Sequence, residues 1–329
     1  MLNEHAKLNT KLFDVDVEQA PTRDGFGNGV VEAGEKDGRV VVLCADLAES
    51  TRAEWFQKKF PTRYVELGVA EQNLAAVGSG MANYGKIPFI TSYAAFSPGR
   101  NNEQIRTTIA LNNVPVKVCG MHAGVSVGPD GATHQALEDI GLMRMQPHMV
   151  VVVPMDAEEA RKATFGAAFN DMPTYLRFGR EKSPIISTKE TPFEIGKAYT
   201  LWESESPQVA IVGCGQLLYE ALLAAKELEA KGIRTMVVNM HTIKPLDGKL
   251  LSDIAAKVGR VVTVEEHQAA GGLGSAVAEF LSELRPVPIE MVAVRDRFGQ
   301  SGTPQELYRE YGLDRVAIVA AVGRVLKRK

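Results

Sequence analysis

Cysteine and tryptophan are scarce, with 3 and 2 among 329 residues. Cys44, Cys119 and Cys214 each end an apolar run that reads as a buried strand, and no pair has metal-ligand spacing. A disulfide framework and a zinc module are thereby excluded, and reduced, packed thiols in a cytoplasmic protein are expected. Charge of one sign is also lacking: 37 basic against 40 acidic residues give a net charge of -3. That balance draws the chain neither to nucleic acid nor to an anionic membrane. No apolar run approaches the ~18 residues of a membrane span, and Met1 to Leu12 has no signal-peptide core. What is present, 45% hydrophobic and 23% charged residues, is ordinary for a globular protein, at a length that suits two domains.

Residues 1–21 read as a leader, helical or frayed, before a first domain over 22–182. A helix from Thr22 to about Ala33 feeds a strand from Arg39 to Cys44. Further short apolar strands follow at Ile87–Ser92, Val114–Gly120, Met149–Val153 and Pro173–Phe178, with helices between them. This alternation predicts a parallel sheet covered by helices on both faces. Residues 183–194, rich in Ser, Thr and Pro, read as a linker. The pattern then restarts over 195–329, with strands at Val209–Gly213, Arg234–Met240, Arg260–Glu265 and Ile289–Val294 alternating with helices. The fold class is therefore α/β, two domains, each a mostly parallel sheet covered by helices.

Three glycine runs could be mistaken for phosphate loops. Gly25-Phe-Gly-Asn-Gly29 has no strand before it, and Gly213-Cys-Gly215 and Gly271-Gly-Leu-Gly274 lack a third glycine at the required spacing. His241 and His267, at strand ends, read as structural histidines.

Chemistry concentrates elsewhere. Arg63 to Asn73 reads as a short strand, a turn at Gly68, and a helix running to Ala82 that puts Glu71 in its first turn, beside N–H groups that favour an anion. Glu71, Ala75, Gly78 and Ala82 share one stripe. Gly78 and Gly80 cost the helix roughly 1 kcal/mol each, so a close approach of another helix or a ligand is expected there. The plain alternative is that Glu71 only complements the helix dipole. Tyr93-Ala-Ala-Phe96 sets two rings three residues apart, either ordinary core or a seat for a flat heteroaromatic ring. The loop His122 to His134 carries two histidines and Asp130, a set suited to proton transfer and hydrogen bonding. A metal site there is the competitor, but no cysteine or second carboxylate completes it.

Together, Gly68-Val-Ala-Glu-Gln-Asn73, Tyr93-Ala-Ala-Phe96 and Asp130-Gly-Ala-Thr-His-Gln-Ala-Leu-Glu-Asp139 resemble the C-terminal half of a transketolase. Thr242-Ile-Lys-Pro-Leu-Asp247, Gly271-Gly-Leu-Gly274 and Arg297-Phe-Gly-Gln-Ser-Gly302 are similar to that family's C-terminal domain. The resemblance implies a pyrimidine-binding domain followed by a transketolase C-terminal domain, and thiamine diphosphate as cofactor. It implies that Glu71 bonds a ring nitrogen of the pyrimidine, that Tyr93 and Phe96 flank that ring, and that Asp46 and Leu47 lie near the cofactor. Arg23, Ser50, His122 and Arg180 match positions that hold the phosphate of a sugar phosphate. Asp130 and His134 match positions contacting its hydroxyls, with His134 able to relay protons. Tyr93 stands where many relatives have Phe, and one extra residue before Arg100 leaves Ser97 to Arg100 without assigned roles.

The family's diphosphate half carries a Gly-Asp-Gly signature, which this sequence lacks. The cofactor's charged tail and its divalent metal, magnesium by resemblance, are then expected on a separate N-terminal subunit, in an assembly of two copies of each chain. The small-residue face bearing Glu71 would be an interface. Rival readings are a 1-deoxy-xylulose-5-phosphate synthase-like subunit, the beta subunit of a 2-oxo-acid dehydrogenase, and a non-catalytic paralogue that kept the fold.

Overall fold

The valine-rich runs become strands buried on both faces. Val40–Cys44 and Val209–Gly213 are buried at every position, as strands between two helical layers must be. The computed structural model describes residues 1–328. Its first sheet runs Thr242–Lys244, Val150–Val152, Thr174–Arg177, Lys117–Met121, Ile87–Tyr93, Val40–Cys44, Tyr64–Glu66. All neighbours in it are parallel except the first pair. The second sheet runs Ile289–Val294, Val261–Gln268, Val209–Gly213, Thr235–Asn239, Tyr199–Glu203, with only the last strand antiparallel. The expected two-domain α/β architecture is thus observed. Among the described residues no helix is long and apolar enough to cross a membrane.

The Thr242–Lys244 strand comes from the second half of the chain yet completes the first sheet, beside Val150–Val152. The halves also share one core: Val151, Val153 and Tyr175 belong to the same apolar cluster as Val212, Met240 and Ile243. The glycine run in the Thr22–Lys36 helix is explained by packing. A Cβ at Gly25 would sit 2.0 Å from the Ala157 carbonyl oxygen, and one at Gly29 2.5 Å from that of Arg161. Those glycines let this helix lie on the Ala157–Ala168 helix.

Two expectations need correction. The leader is neither a helix nor frayed: after one 3-10 turn at Glu4–Ala6 it lies on the second domain. The Asn3 N–H donates to the Leu201 carbonyl at 2.9 Å, and Leu12 is wholly buried. Nor does the stretch around residue 186 behave as a solvated connection, since Ile186 is fully buried. The Asp156 carboxylate accepts the N–H groups of Ile186 and Ser187 at 2.8 and 2.6 Å and the Ser187 hydroxyl at 2.7 Å. The polar composition supplies donors to a buried acid, which sequence reading cannot tell from solvation.

Glu159 joins the halves. Its Oε1 accepts from the Tyr199 hydroxyl and Asn239 Nδ2, both at 2.7 Å, and its Oε2 from the Met155 N–H at 2.7 Å. Burial, then the neighbouring Asp156, pushes its carboxyl up to about 8 from an ordinary 4.5. The folded chain therefore keeps a proton that the unfolded chain releases above pH ~4.5. The contribution to stability is complete below that pH and fades as pH rises toward 8. Glu159→Gln, which never ionises, should gain on the wild type across pH 5 to 8 by an amount on the order of 3 kcal/mol. Melting temperatures in a pH series read this directly, and a constant difference would mean the group is ionised in the fold.

Candidate active site

The Glu66 carboxylate ties two strand ends together, accepting the N–H groups of Asp46 and Gly68 at 2.8 and 2.9 Å and the Tyr64 hydroxyl at 2.6 Å. Gly68 adopts φ +65°, where glycine avoids the steric penalty of a side chain. The next helix opens on Glu71 itself and runs to Asn83. The Glu71 carboxylate is buried, with Oε1 accepting from Ser92 Oγ at 3.3 Å and Oε2 from Arg100 Nη1 at 2.6 Å. Asn101 Nδ2 donates to the Glu71 backbone carbonyl at 2.9 Å. The Arg100 side chain is 47% exposed, and its guanidinium carbon lies 4.8 Å from the centre of the Phe96 ring. A buried acid is thus partnered by a planar cation resting on an aromatic face at the surface.

The stripe carrying Glu71 faces inward, correcting its expected role as an interface. A Cβ at Gly78 would meet Ile90 Cγ2 at 2.7 Å, so that glycine seats the helix on its own sheet. The other face is open: Gln72, Asn73, Ala76 and Gly80 are exposed, and Val69 beside them is 70% exposed.

Tyr93 ends its strand at the carboxyl edge of the sheet, where ligands sit in open α/β folds. The Tyr93 and Phe96 rings are 6.0 Å apart at 25°, but the closer stack is Tyr93 on His122, 4.2 Å apart at 22°. His134 approaches both rings edge-on, at 6.0 and 5.4 Å. The Tyr93 hydroxyl donates to Ser50 Oγ at 3.0 Å. Arg23 Nη1 donates to the Ser50 carbonyl at 2.9 Å and lies 3.2 Å from His122 Nε2. Burial first, then Arg23 and Arg180, holds the His122 pKa down at about 3, so the ring is neutral. Facing a guanidinium, Nε2 must accept, which leaves the proton on Nδ1. Among the described residues neither His122 Nδ1 nor Arg23 Nε has a partner. Each is a buried N–H free to donate to an oxygen of an anionic ligand.

Arg180 Nη1 donates to the Val127 carbonyl at 3.0 Å and to Asp130 Oδ1 at 3.2 Å. It lines, with Arg23, Arg52 and Ser126, a cleft of about 580 Å³ that reaches Gln216 and Tyr308 of the second domain. Of the residues nominated from sequence, Arg23, Ser50, Tyr93, Phe96, His122 and His134 form one contact set, and Arg180 with Asp130 a second. Asp46 points its side chain to solvent, while Leu47 packs half-buried on the core. Arg100, Ser92 and Asn101 were not foreseen. The run Ser97-Pro-Gly-Arg100 contains Arg100, but its spacing alone does not reveal which carboxylate that side chain meets, and Ser92 and Asn101 lie outside it.

Other motif residues turn out structural. Asp139 pairs with buried Arg177 at 2.7 Å. His241 Nδ1 lies 2.9 Å from Thr242 Oγ1 and its ring stacks on Phe193, while His267 Nε2 accepts the Gly141 N–H at 3.3 Å. At Gly271-Gly-Leu-Gly274, the Glu265 carboxylate accepts the Leu273 and Gly274 N–H groups at 2.6 and 2.7 Å. The chain's own acid fills the helix start where a nucleotide phosphate would lie. Among the described residues no three His, Cys, Asp or Glu side chains converge as a metal site.

A buried acid at a helix start thus lies beside stacked rings on the carboxyl edge of a parallel sheet in an α/β protein. Residues 18–185 match the transketolase pyrimidine binding domain and residues 196–318 the transketolase C-terminal domain. The chain belongs to the transketolase family. It is 38% identical to the 6-deoxy-6-sulfo-D-fructose transketolase subunit SqwH of Clostridium sp. (strain MSTE9), covering 96% of this chain and 98% of that one. A solved split-gene transketolase, described as an inactive beta4 tetramer, superposes with a TM-score of 0.87 at 44% identity, over 93% of this chain and 98% of that chain. Human transketolase is 36% identical across 93% of this chain, but the match spans only 49% of its own length.

Proposed function

We propose that this chain is the C-terminal subunit of a two-chain transketolase, moving a two-carbon ketol unit from a ketose phosphate to an aldose phosphate. In this reading a separate N-terminal subunit grips the diphosphate of thiamine diphosphate and its magnesium ion, and two copies of each chain assemble in the cytoplasm. Near end-to-end correspondence with the SqwH subunit and the split-gene structure supports the division into two chains. The exposed face at Val69, Asn73, Ala76 and Gly80 supports a partner docking beside Glu71.

The observation that carries the chemistry is the Arg100 guanidinium on Glu71 Oε2 and the Phe96 face. A flat aminopyrimidine can take the same place, donating to the same oxygen and lying against the same ring. Bound there, thiamine diphosphate supplies the nucleophilic carbon that carries the two-carbon unit. Glu71 then holds or releases a proton at the ring nitrogen, with Ser92 fixing its other oxygen. Tyr93 and Phe96 flank the ring and exclude water, and Asp46 and Leu47 border it. Arg23, Ser50, His122 and Arg180 hold the sugar's anionic end, the unpartnered His122 Nδ1–H and Arg23 Nε–H donating to its oxygens. Asp130 and His134 bond the hydroxyls, and His134 passes the proton at the ketol oxygen. Two guanidinium groups suit a doubly charged phosphate, although SqwH by its name acts on a sulfonated sugar.

The test is reconstitution. The chain mixed with its diphosphate-half partner, thiamine diphosphate and magnesium should transfer the ketol unit from xylulose 5-phosphate to ribose 5-phosphate. Full turnover by this chain without a partner, or consumption of pyruvate in place of the ketose, would overturn the reading.

A further inference from the structure

We infer that Glu266 and Gln135, neither part of the contact sets above, are positioning residues through which the second domain sets the loop carrying His122, Asp130 and His134. The inference rests on the reading that Arg180 and His122 hold the anionic end of the sugar.

The loop is short of internal structure. Between Gly124 and Gly131 lies one 3-10 segment, Val125–Asp130, interrupted at Gly128, and both flanking glycines have positive φ. Such a backbone needs its hydrogen-bonding groups fixed from outside. Glu266, on the Val261–Gln268 strand, is 6% exposed, and its Oε1 accepts the Ser126 N–H at 2.5 Å. Gly124 lies so close that a Cβ there would be 2.4 Å from Glu266 Cδ. The Tyr308 hydroxyl reaches Glu266 Oε2 at 3.4 Å, so both carboxylate oxygens have partners, and Arg177 Nη2 fixes the residue's backbone by donating to its main-chain carbonyl at 2.8 Å.

At the other end of the loop Gln135, 3% exposed, gathers three carbonyls with its Nε2: Val125 at 2.9 Å, Gly128 at 3.2 Å and Gln300 of the second domain at 3.0 Å. The run Gly299 to Gly302 forms the wall behind it. A Cβ at Gly299 would lie 1.8 Å from Gln135 Oε1, and one at Gly131 2.7 Å from Ser301 Oγ. Gly299 on the second domain and Gly131 on the loop thus allow the two to seat together.

The clamp connects directly to the substrate anchors. Ser126, held by Glu266, precedes Val127, whose carbonyl accepts from Arg180 Nη1 at 3.0 Å. The same guanidinium nitrogen bonds Asp130 at 3.2 Å. Releasing Ser126 moves the carbonyl that orients Arg180, so the loss should fall on recognition of the anionic end and spare the ketol-transfer step.

The experiment uses the reconstituted two-chain enzyme with an aldose phosphate and the same aldose without phosphate as acceptors. Glu266→Ala should lower the ratio of the two kcat/KM values about tenfold, mainly through KM for the phosphorylated acceptor. Amide hydrogen exchange over residues 122–135 of the full chain should speed up. Glu266→Gln, which keeps an acceptor oxygen for Ser126, should restore most of both. Gln135→Leu acts at the far end of the clamp and should lower the same ratio, which keeps the inference testable if Glu266→Ala does not fold. Equal losses on both acceptors, or unchanged loop exchange, would overturn it. A wild-type complex inactive on sugar phosphates would instead sink the functional reading, and loop exchange alone would then decide the clamp.

Discussion

Glu71→Gln should lower ketol transfer by the assembled enzyme by a factor on the order of 10² to 10⁴, the usual worth of a positioned proton-transfer group, and leave the melting temperature close to wild type. Gln has nearly the same volume and keeps an oxygen that can accept from Ser92, which now bonds Glu71 Oε1 at 3.3 Å. What it loses is the charge facing Arg100, whose side chain is 47% exposed. An ion pair screened by solvent on one side contributes little, about 0–1 kcal/mol, and the substitution also removes the cost of keeping a charge buried. Loss of the exchangeable proton cannot be offset in that way. Steady-state kcat and a thermal melt on the same preparation separate the outcomes. Activity within a few-fold of wild type, or a collapse of the melting temperature with activity intact, would assign Glu71 to the fold.

The largest stability effect is expected at Asp139. Its Oδ2 accepts from Arg177 Nε at 2.7 Å and the Tyr175 hydroxyl at 2.6 Å, and its Oδ1 from Arg177 Nη2 at 3.2 Å. Burial by itself would raise the carboxyl, but Arg177, His267 and the Tyr175 hydroxyl bring it below its ordinary value. Asp139→Leu leaves the Arg177 guanidinium, 6% exposed, without its counter-charge. Breaking a buried pair this way costs about 3–5 kcal/mol. Chemical denaturation should show that loss, and the double variant Asp139→Leu/Arg177→Met should recover most of it, because no orphaned charge remains. A double variant no more stable than the single one would mean that packing or the bond to Tyr175, not the unpaired cation, sets the cost.

The strands were legible because parallel strands covered on both faces are simply apolar runs, and Val209–Gly213 falls where its residues placed it. Glu71 at a helix start and the Tyr93–Phe96 spacing were equally visible, since both depend on neighbours in sequence. Contacts between distant segments were not. Nothing around Arg100 announces the carboxylate it meets, 29 positions earlier. The polar residues near Ser187 look the same whether they face water or a buried Asp156. The Glu71 stripe was correctly read as small, but size alone does not say whether a sheet or another chain comes close. Asp139 was quoted as part of a functional motif, and its dominant bonds are to Arg177 and Tyr175 in the core.

The three residues Thr242–Lys244 close off the row of unpaired backbone groups that Val150–Val152 would otherwise present. A fragment ending near residue 195 would keep every nominated side chain yet carry a bare Val-Val-Val rim, a template for indiscriminate strand pairing and precipitation. The two domains are therefore not interchangeable modules, and a chimera must carry that short ribbon along with the part it appears not to belong to.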